Sequence, residues 1–411
     1  MPPIAAGVEF LEAPLTVFGL LLVAGALVSG LANRSFISLA TGFVLVGLVL
    51  GEGGFEVLEF DPTSGFVQGL AVIALTLVLF RDGLDVEQEA LQEAWHLPLR
   101  KLLLAMPLTA ALVALVTHAL TDLGWAESFL VGALLSPTDP VLSAAVVTNP
   151  RVPRLVRHSL NLESGLNDGL ALPAVLAFTA VAAGDEDFAW WQFVLQDVLV
   201  GALSGLFVAF VASRLMPGGR ALGDEISMHQ KALYALGVAF AAYGVATLPP
   251  EGNGLIAVFV AAIAFGIWRP DIARCFETQS QDVVELVKAG IFIVFGAILT
   301  FDGLFGDGWA TVGIVAFTLL VARPVAVFAA LAGSRQVSTA EKAFMSWFGP
   351  KGVATMAFAL FVLGSAADDA ERVFNIAALT VLVSIVVHGL TDNAGSHWIA
   401  RKEVTQTAGS G

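Results

Sequence analysis

Two acidic segments lie inside otherwise apolar stretches of this 411-residue chain. The first reads SPTDP over residues 136–140, and the second reads ESGLNDG over residues 163–169. On a helix, Ser164 and Asp168 are four residues apart and share one face. A hydroxyl beside a carboxylate offers hard oxygen ligands, which suit an alkali cation better than a transition metal that prefers His or Cys. The pattern therefore predicts a site for a small monovalent cation.

Asp168 is the candidate carrier, because the carboxylate that binds a cation can bind a proton instead. Prolines three residues apart flank Thr138 and Asp139. Each proline removes a backbone donor and clashes with the preceding turn, so local unwinding is expected there. Unwound Thr138-Asp139 would face Asp168 and Ser164. Competition between a cation and a proton for one carboxylate is sufficient for exchange if the site faces each side of a membrane in turn. The alternative is that Asp168 only caps a helix or pairs with a basic residue.

The composition of the chain indicates whether these residues lie in water or in a membrane. The chain is 57% hydrophobic and 13% charged, whereas a soluble chain has roughly 45–50% apolar and about 25% charged residues. Apolar runs long enough to cross roughly 30 Å of hydrocarbon as helices recur from end to end. The alternating ten-residue segments of a transmembrane barrel are absent from the sequence. The fold class predicted is an all-α membrane protein.

Apolar runs between polar breaks give about thirteen spans. They fall within residues 14–33, 35–50, 66–81, 98–120, 127–148, 163–183, 191–214, 230–248, 253–268, 285–301, 309–333, 341–364 and 373–391. The fifth and twelfth are interrupted, at residues 136–140 and at Gly349-Pro350-Lys351-Gly352. Because the interrupted spans run in opposite directions, an inverted repeat of spans 1–6 and 8–13 is predicted. Interrupted segments at matching positions of two halves are typical of the substrate site of a secondary transporter.

Basic residues predict the orientation of the chain, because Lys and Arg are retained on the cytoplasmic side. One side collects Arg34, Arg81, Arg100, Lys101, Arg151, Arg154, Arg157, Arg214, Arg220, Lys231, Arg269, Arg274, Lys288, Arg335, Lys342, Arg401 and Lys402. The other side collects Glu52, Glu56, Glu59, Asp61, Asp122, Glu127, Asp185, Glu186, Asp187, Glu251, Asp302, Asp307, Asp368 and Asp369, with Arg372 its only basic member. An N-terminus outside and a C-terminus in the cytoplasm are predicted. Residues 1–396 would form one transmembrane domain and residues 397–411 a short cytoplasmic tail.

Three further charged residues lie within apolar spans, where each charge costs roughly 2.5 to more than 10 kcal/mol. Arg323 needs a carboxylate partner, and Glu163 is the natural choice. This ion pair would hold the sixth span to the eleventh. Lys351, at the break in the twelfth span, would neutralise the negative ends of the half-helices or pair with Asp139.

At these residues the chain resembles the monovalent cation/proton antiporter superfamily, specifically the NhaP/NHE-type sodium/proton exchangers. The resemblance covers essentially the whole chain and is carried by the segments Ser136-Pro137-Thr138-Asp139-Pro140, Glu163-Ser164-Gly165-Leu166-Asn167-Asp168-Gly169, Gly254-Leu255-Ile256-Ala257-Val258-Phe259 and Arg323-Pro324. It implies a thirteen-helix fold with two crossed, unwound helices. Core helices would lie within residues 66–183 and 285–391, and the remaining helices would form a dimerisation region.

The resemblance also implies roles for single residues. Asp168 would carry the cation and the proton, while Ser164 and Thr138 complete the coordination of a monovalent cation. Asp139 would lie at the helix crossing. Asn167 stands where electrogenic relatives have a second Asp, which implies electroneutral exchange of one cation for one proton.

The chain departs from the family pattern at two places. Lys351 replaces a more usual Arg, and Asp82 lies one position beyond the place where relatives often have an acidic residue. Asp82 would serve as an entry or accessory carboxylate. His158, which borders the basic loop, could tune a response to pH, but an ordinary solvated histidine is the favoured interpretation.

The function predicted is secondary antiport of sodium or lithium against protons in the plasma (inner) membrane, by an electroneutral homodimer in contact with lipid. The alternatives are a potassium/proton antiporter, a cation channel, and an intramembrane protease that uses Asp139 and Asp168 as a dyad. Ligand type does not separate sodium from potassium. No cofactor, nucleic acid or enzymatic activity is predicted.

Overall fold

The computed structural model describes residues 16–20, 22–23, 39–90, 95–139, 146, 149–150, 152–184, 188–217 and 226–408. Throughout these residues the regular secondary structure is helical, and no strand occurs. The all-α fold class is thus confirmed. Most of the predicted first span, residues 14–33, lies outside the described residues.

Within the described residues, fourteen helices, α1 to α14, form the fold. The first seven are Leu39–Leu50, Gly65–Ala90, His96–Leu120, Trp125–Leu135, Arg154–Ala182, Trp190–Leu215 and Met228–Ala246. The other seven are Gly254–Trp268, Pro270–Gln279, Gln281–Ile298, Trp309–Ala330, Thr339–Trp347, Val353–Leu363 and Ala370–Ala408. A single helical turn, Phe301–Leu304, precedes α11.

Six of the described helices are long and apolar enough to cross a membrane: α2, α3, α5, α6, α11 and α14. A seventh span is possible if α8 and α9, which meet at a bend of 116°, are taken together. Helices α1, α4 and α13 are apolar but shorter. Two of these short helices, α4 and α13, adjoin the predicted breaks. The figure of about thirteen spans stays a prediction.

The helices pack as two bundles. Helices α3, α4, α5, α11, α12, α13 and α14 contact one another, and helices α1, α2, α6, α7, α8, α9 and α10 form the second group. Helix α2 of the second bundle packs against α5 and α13 of the first. Within the first bundle, α4 approaches α3 so closely that a Cβ on Gly132 would overlap the Ala110 carbonyl. Small residues allow such contacts between membrane helices.

Arg372 ties three loops together at one end of the first bundle. Its guanidinium lies 2.6 Å from both Asp122 Oδ1 and Asp307 Oδ1, and 3.3 Å from Asp369 Oδ1. The hydrogen bond from Arg372 holds the pKa of Asp122 below its ordinary value. All four residues were assigned to the same side of the membrane from the sequence, and their contacts agree with that grouping.

The structure corrects three predictions in which polar residues were taken to mark the ends of membrane spans. Lys101 and Lys288 were read as loop residues, but both are buried, in α3 and α10 respectively. The sixth span was predicted within residues 163–183, whereas α5 begins at Arg154 and carries residues 163–169 in its interior. Lys101 shows one cause, since hydropathy treats a charge as a break even where the protein supplies an opposite charge, here that of Glu163.

Candidate functional site

The two predicted breaks meet inside the first bundle. Helix α4 ends at Leu135 and is followed by non-helical residues 136–139, while residues 348–352 separate α12 from α13. The two unwound segments bond to each other directly, because Asp139 N donates to Pro350 O at 2.8 Å. The backbone that the prolines free is therefore satisfied within protein, as membrane depth requires. Pro140 lies outside the described residues.

Each break supplies a charge to the helix ends of the other. Lys351 is fully buried, and its Nζ lies 2.9 Å from Pro137 O and 3.5 Å from Ser136 O, just past the C-terminus of α4. In return, Asp139 Oδ2 accepts a hydrogen bond of 3.2 Å from Val353 N, the first residue of α13. A cation at a helix C-terminus and an anion at an N-terminus both oppose the helix dipole. Of the two roles predicted for Lys351, the contacts favour charge compensation.

Gly352 makes this arrangement possible, since a Cβ at that position would overlap the carboxyl group of Asp139. We expect Gly352→Ala to displace Asp139 from the α13 N-terminus, with an overpacking cost of about 1–3 kcal/mol. Transport should fall along with the melting temperature. Gly237→Ala is the matched control, because no atom lies within 4 Å of a Cβ built there. Equal transport rates and melting temperatures in the two variants would contradict the role assigned to Asp139 at the α13 N-terminus.

Asn167 fixes the unwound segment of the fifth span. Its Nδ2 donates to Thr138 O at 2.8 Å and lies 3.1 Å from Thr138 Oγ1. Its Oδ1 is buried and has no hydrogen-bond partner in the described part of the chain. The sequence related Asn167 to stoichiometry alone, whereas its contacts also give it a place in the geometry of the site.

Asp168 is one residue further along α5 and is 4% exposed, beside Ser164 at 6%. Among the described residues no donor is hydrogen-bonded to the Asp168 carboxylate, and its interactions are those with more distant charges. A buried carboxylate is expensive unless it is paired or bound to a metal. This one is thus suited to an exchangeable partner.

The wall opposite Asp168 comes from the second bundle. The backbone of α2 passes so close that a Cβ on Gly165 would lie 3.3 Å from Asp82 O. Asp82 repels Asp168, while Arg81 and Lys288 attract it. The sequence suggested only an accessory role for Asp82 and missed Lys288, whose charge resembled that of a loop residue. The candidate site therefore lies between the two bundles.

Glu163 is shared by two cations. Arg323 Nη1 lies 2.9 Å from Glu163 Oε1, which brings together the two residues expected to pair. Lys101 Nζ lies 2.6 Å from Glu163 Oε2 and also donates to Ser159 O at 3.0 Å. Sequence reasoning missed Lys101, although its place at the edge of a long apolar run was a usable signal.

Helix α14 holds the break in the twelfth span through two more residues that were not predicted. Ser384 Oγ accepts a hydrogen bond of 2.9 Å from Lys351 N, and His388 Nε2 lies 2.8 Å from Trp347 O at the end of α12. His158, which was read as solvated, is buried in α5.

Two crossed, discontinuous helices around buried carboxylates, at the boundary between two helical bundles, are typical of the substrate site of secondary transporters. Residues 19–392 match the family described as "Sodium/hydrogen exchanger, transmembrane", and the chain belongs to that family. This family consists of transporters, so the intramembrane protease is excluded.

Several characterised proteins are similar to the chain. It is 26% identical over 378 residues to the K(+)/H(+) antiporter NhaP2 of Shewanella sp. (strain ANA-3), covering 90% of this chain and 64% of that protein. It is 27% identical over 371 residues to the Na(+)/H(+) antiporter NhaH of Halobacillus aidingensis, covering 86% and 89%. The chain thus spans less than two thirds of the length of the first of these relatives.

The fold is that of a solved antiporter. The structure of the sodium proton antiporter MjNhaP1 from Methanocaldococcus jannaschii superposes with a TM-score of 0.80, covering 95% of this chain and 99% of that one at 18% identity. The predicted architecture with two discontinuous helices is confirmed at the level of the fold.

Proposed function

We propose that the protein exchanges sodium or lithium for protons across a membrane by competition of the two for Asp168. The observation that carries this proposal is the buried Asp168 carboxylate, which lacks a protein donor in the described residues and faces the second bundle. A carboxylate with a protein counter-ion at bonding distance would have no need of a transported one. Family membership supports the same assignment.

The ligands proposed for the cation are the Asp168 carboxylate, Ser164 and Thr138, with Asp139 nearby at the crossing. Asn167 supports them by holding the Thr138 carbonyl through its amide, at 2.8 Å. All of these ligands are oxygens, which hard monovalent cations accept. When a proton occupies Asp168 the cation site is filled, so one ligand excludes the other.

Exchange is proposed to be electroneutral, one cation for one proton. Asn167 is uncharged and is engaged with Thr138, which leaves Asp168 as the carboxylate at this position of α5. We expect exchange rates in proteoliposomes to be the same with and without a potassium–valinomycin diffusion potential. Acceleration or slowing by the imposed voltage would contradict a one-for-one exchange.

The second candidate is potassium/proton antiport, favoured by the relatives named as K(+)/H(+) antiporters. Proteoliposomes that hold a pH-sensitive dye separate the two candidates when sodium, lithium and potassium are added in turn across a range of pH. Dissipation of the pH gradient by sodium and lithium, with little response to potassium, is the result expected. A response to potassium alone would replace the first candidate with the second. A response to none of the three would overturn both.

The remaining proposals concern the assembly and its placement. We propose a homodimer in the plasma (inner) membrane, with the N-terminus outside and the C-terminus in the cytoplasm. The dimerisation helices would be those outside residues 66–183 and 285–391, and the described ones, α1, α6, α7, α8 and α9, all belong to the second bundle. Cysteine accessibility at the exposed Arg401 position, measured from each side of the membrane, tests the orientation.

A further inference from the structure

The cluster at Glu163 contains one cation more than a pair needs. Lys101 is fully buried, and its 2.6 Å contact occupies the second oxygen of a carboxylate that already binds Arg323. Burying an ion costs several kcal/mol even after relaxation, and a simple Glu163–Arg323 pair would already be neutral. The second cation therefore has to balance a charge elsewhere.

The charges around the helix crossing show which charge Lys101 balances. Among the described residues, the buried cations next to the crossing are Lys101, Arg323 and Lys351, and the buried anions are Asp139, Glu163 and Asp168; the buried Asp392 lies further along α14 and has an interaction of its own. They are linked, since Arg323 and Glu163 act on Lys101, and Arg323, Glu163 and Asp168 act on Lys351. With Asp168 empty and ionised this set is neutral. With a proton or a cation on Asp168 it carries one positive charge.

The facing bundle does not alter this difference. Lys288 and Asp82 are of opposite sign, and the Arg81 side chain is 29% exposed and so partly solvated. Lys101 is thus the charge that makes this set of six side chains neutral when Asp168 is empty and ionised. Without Lys101, the set would be neutral only when Asp168 holds a proton or a cation.

Lys101 and Arg323 occupy similar positions in their helices, each beside a π-helical turn. Lys101 opens the π-helical turn Lys101–Ala105 of α3, and Arg323 directly follows the π-helical turn Thr318–Ala322 of α11. These helices correspond to spans 4 and 11, which occupy matching places in the inverted repeat. Such π turns are frequently found at functional sites.

We propose that Lys101 is the counter-charge of the unloaded transport site, and that it weakens cation binding at Asp168 so that the cation is released. Lys101 acts through the charge of the bundle and does not touch the cation. The inference rests on the proposed exchange function.

The test measures KM and maximal rate for sodium in proteoliposomes at alkaline pH, where protons compete least. Lys101→Met removes one positive charge and is expected to lower KM by about tenfold, with a slower maximal rate because release is impeded. Glu163→Gln removes one negative charge and is expected to raise KM to a similar extent. The double variant restores the original balance, so its KM should return towards that of the parent protein.

Two further variants control for structure. Lys101→Arg keeps the charge and should keep KM. Arg100→Met removes a charge from the adjacent residue, which is partly exposed and bonds Ala332 O at 3.0 Å, and should leave KM unchanged. If Lys101→Met is not recovered folded, Lys101→Gln makes the same change of charge with a side chain that can still bond to Glu163.

An unchanged KM in a folded neutral variant, or a double variant that behaves like Lys101→Met, would overturn the inference while leaving the exchange function intact. A parent protein that exchanges no cation at all would instead overturn the proposed function.

Discussion

Replacement of Asp168 by asparagine is expected to abolish cation/proton exchange while leaving the protein folded. Asparagine has nearly the same shape as the carboxylate but neither ionises nor takes up a proton in this range of pH. Because the described residues give the Asp168 carboxylate no hydrogen-bonded donor, its loss leaves no such group unsatisfied. The measurement is dissipation of a pH gradient by sodium in proteoliposomes, with melting temperature followed in detergent.

Asp197→Asn serves as the matched control, since Asp197 lies on a membrane helix of the second bundle and is partly buried. It should retain exchange. Activity retained in Asp168→Asn would remove Asp168 from the mechanism and with it the proposed competition.

Glu163→Gln is expected to be the most destabilising single change in the first bundle. It leaves two buried cations, Lys101 and Arg323, without their carboxylate. Breaking a buried pair by removing one partner costs about 3–5 kcal/mol, because an uncompensated charge stays behind. Arg323→Met should cost less, since Lys101 keeps Glu163 paired. The melting temperatures of the purified variants measure this order.

A double-mutant cycle between positions 163 and 323 sharpens the comparison. Glu163→Gln combined with Arg323→Met should be less destabilised than the sum of the two single changes, because only one unpaired cation remains. Additive effects would mean that the two side chains do not depend on each other.

The sequence predicted the helical membrane fold and singled out the residues of the candidate site, because both leave strong local signals. Prolines on either side of Thr138-Asp139 announce a break wherever they occur. Asp168 stands out in an apolar span because a charge there is energetically costly and therefore rare. Glu163 and Arg323 were paired before their contact was known, since each needs the other.

What the sequence did not reveal depends on which helices become neighbours. Lys101 and Lys288 resemble loop residues until the fold brings carboxylates near them. The double use of Glu163 depends on three helices at once, and the contact of His388 with the end of α12 depends on two. The bond of Asn167 to Thr138 likewise joins two spans that periodicity treats separately.

The crossing of the two broken spans has a mechanical consequence. Asp139 bonds both Pro350 and the start of α13, while Lys351 bonds the end of α4, so neither half-helix can slide without breaking the caps of the other. Helix α2 also packs against α5 and α13, but among the described residues no backbone–backbone hydrogen bond joins them, and the bond between α2 and α13 runs from the Gln68 side chain to Leu360 O at 2.9 Å. The bundles are therefore expected to move relative to each other along their shared interface. A cation held at the crossing would then move together with the first bundle as a rigid body.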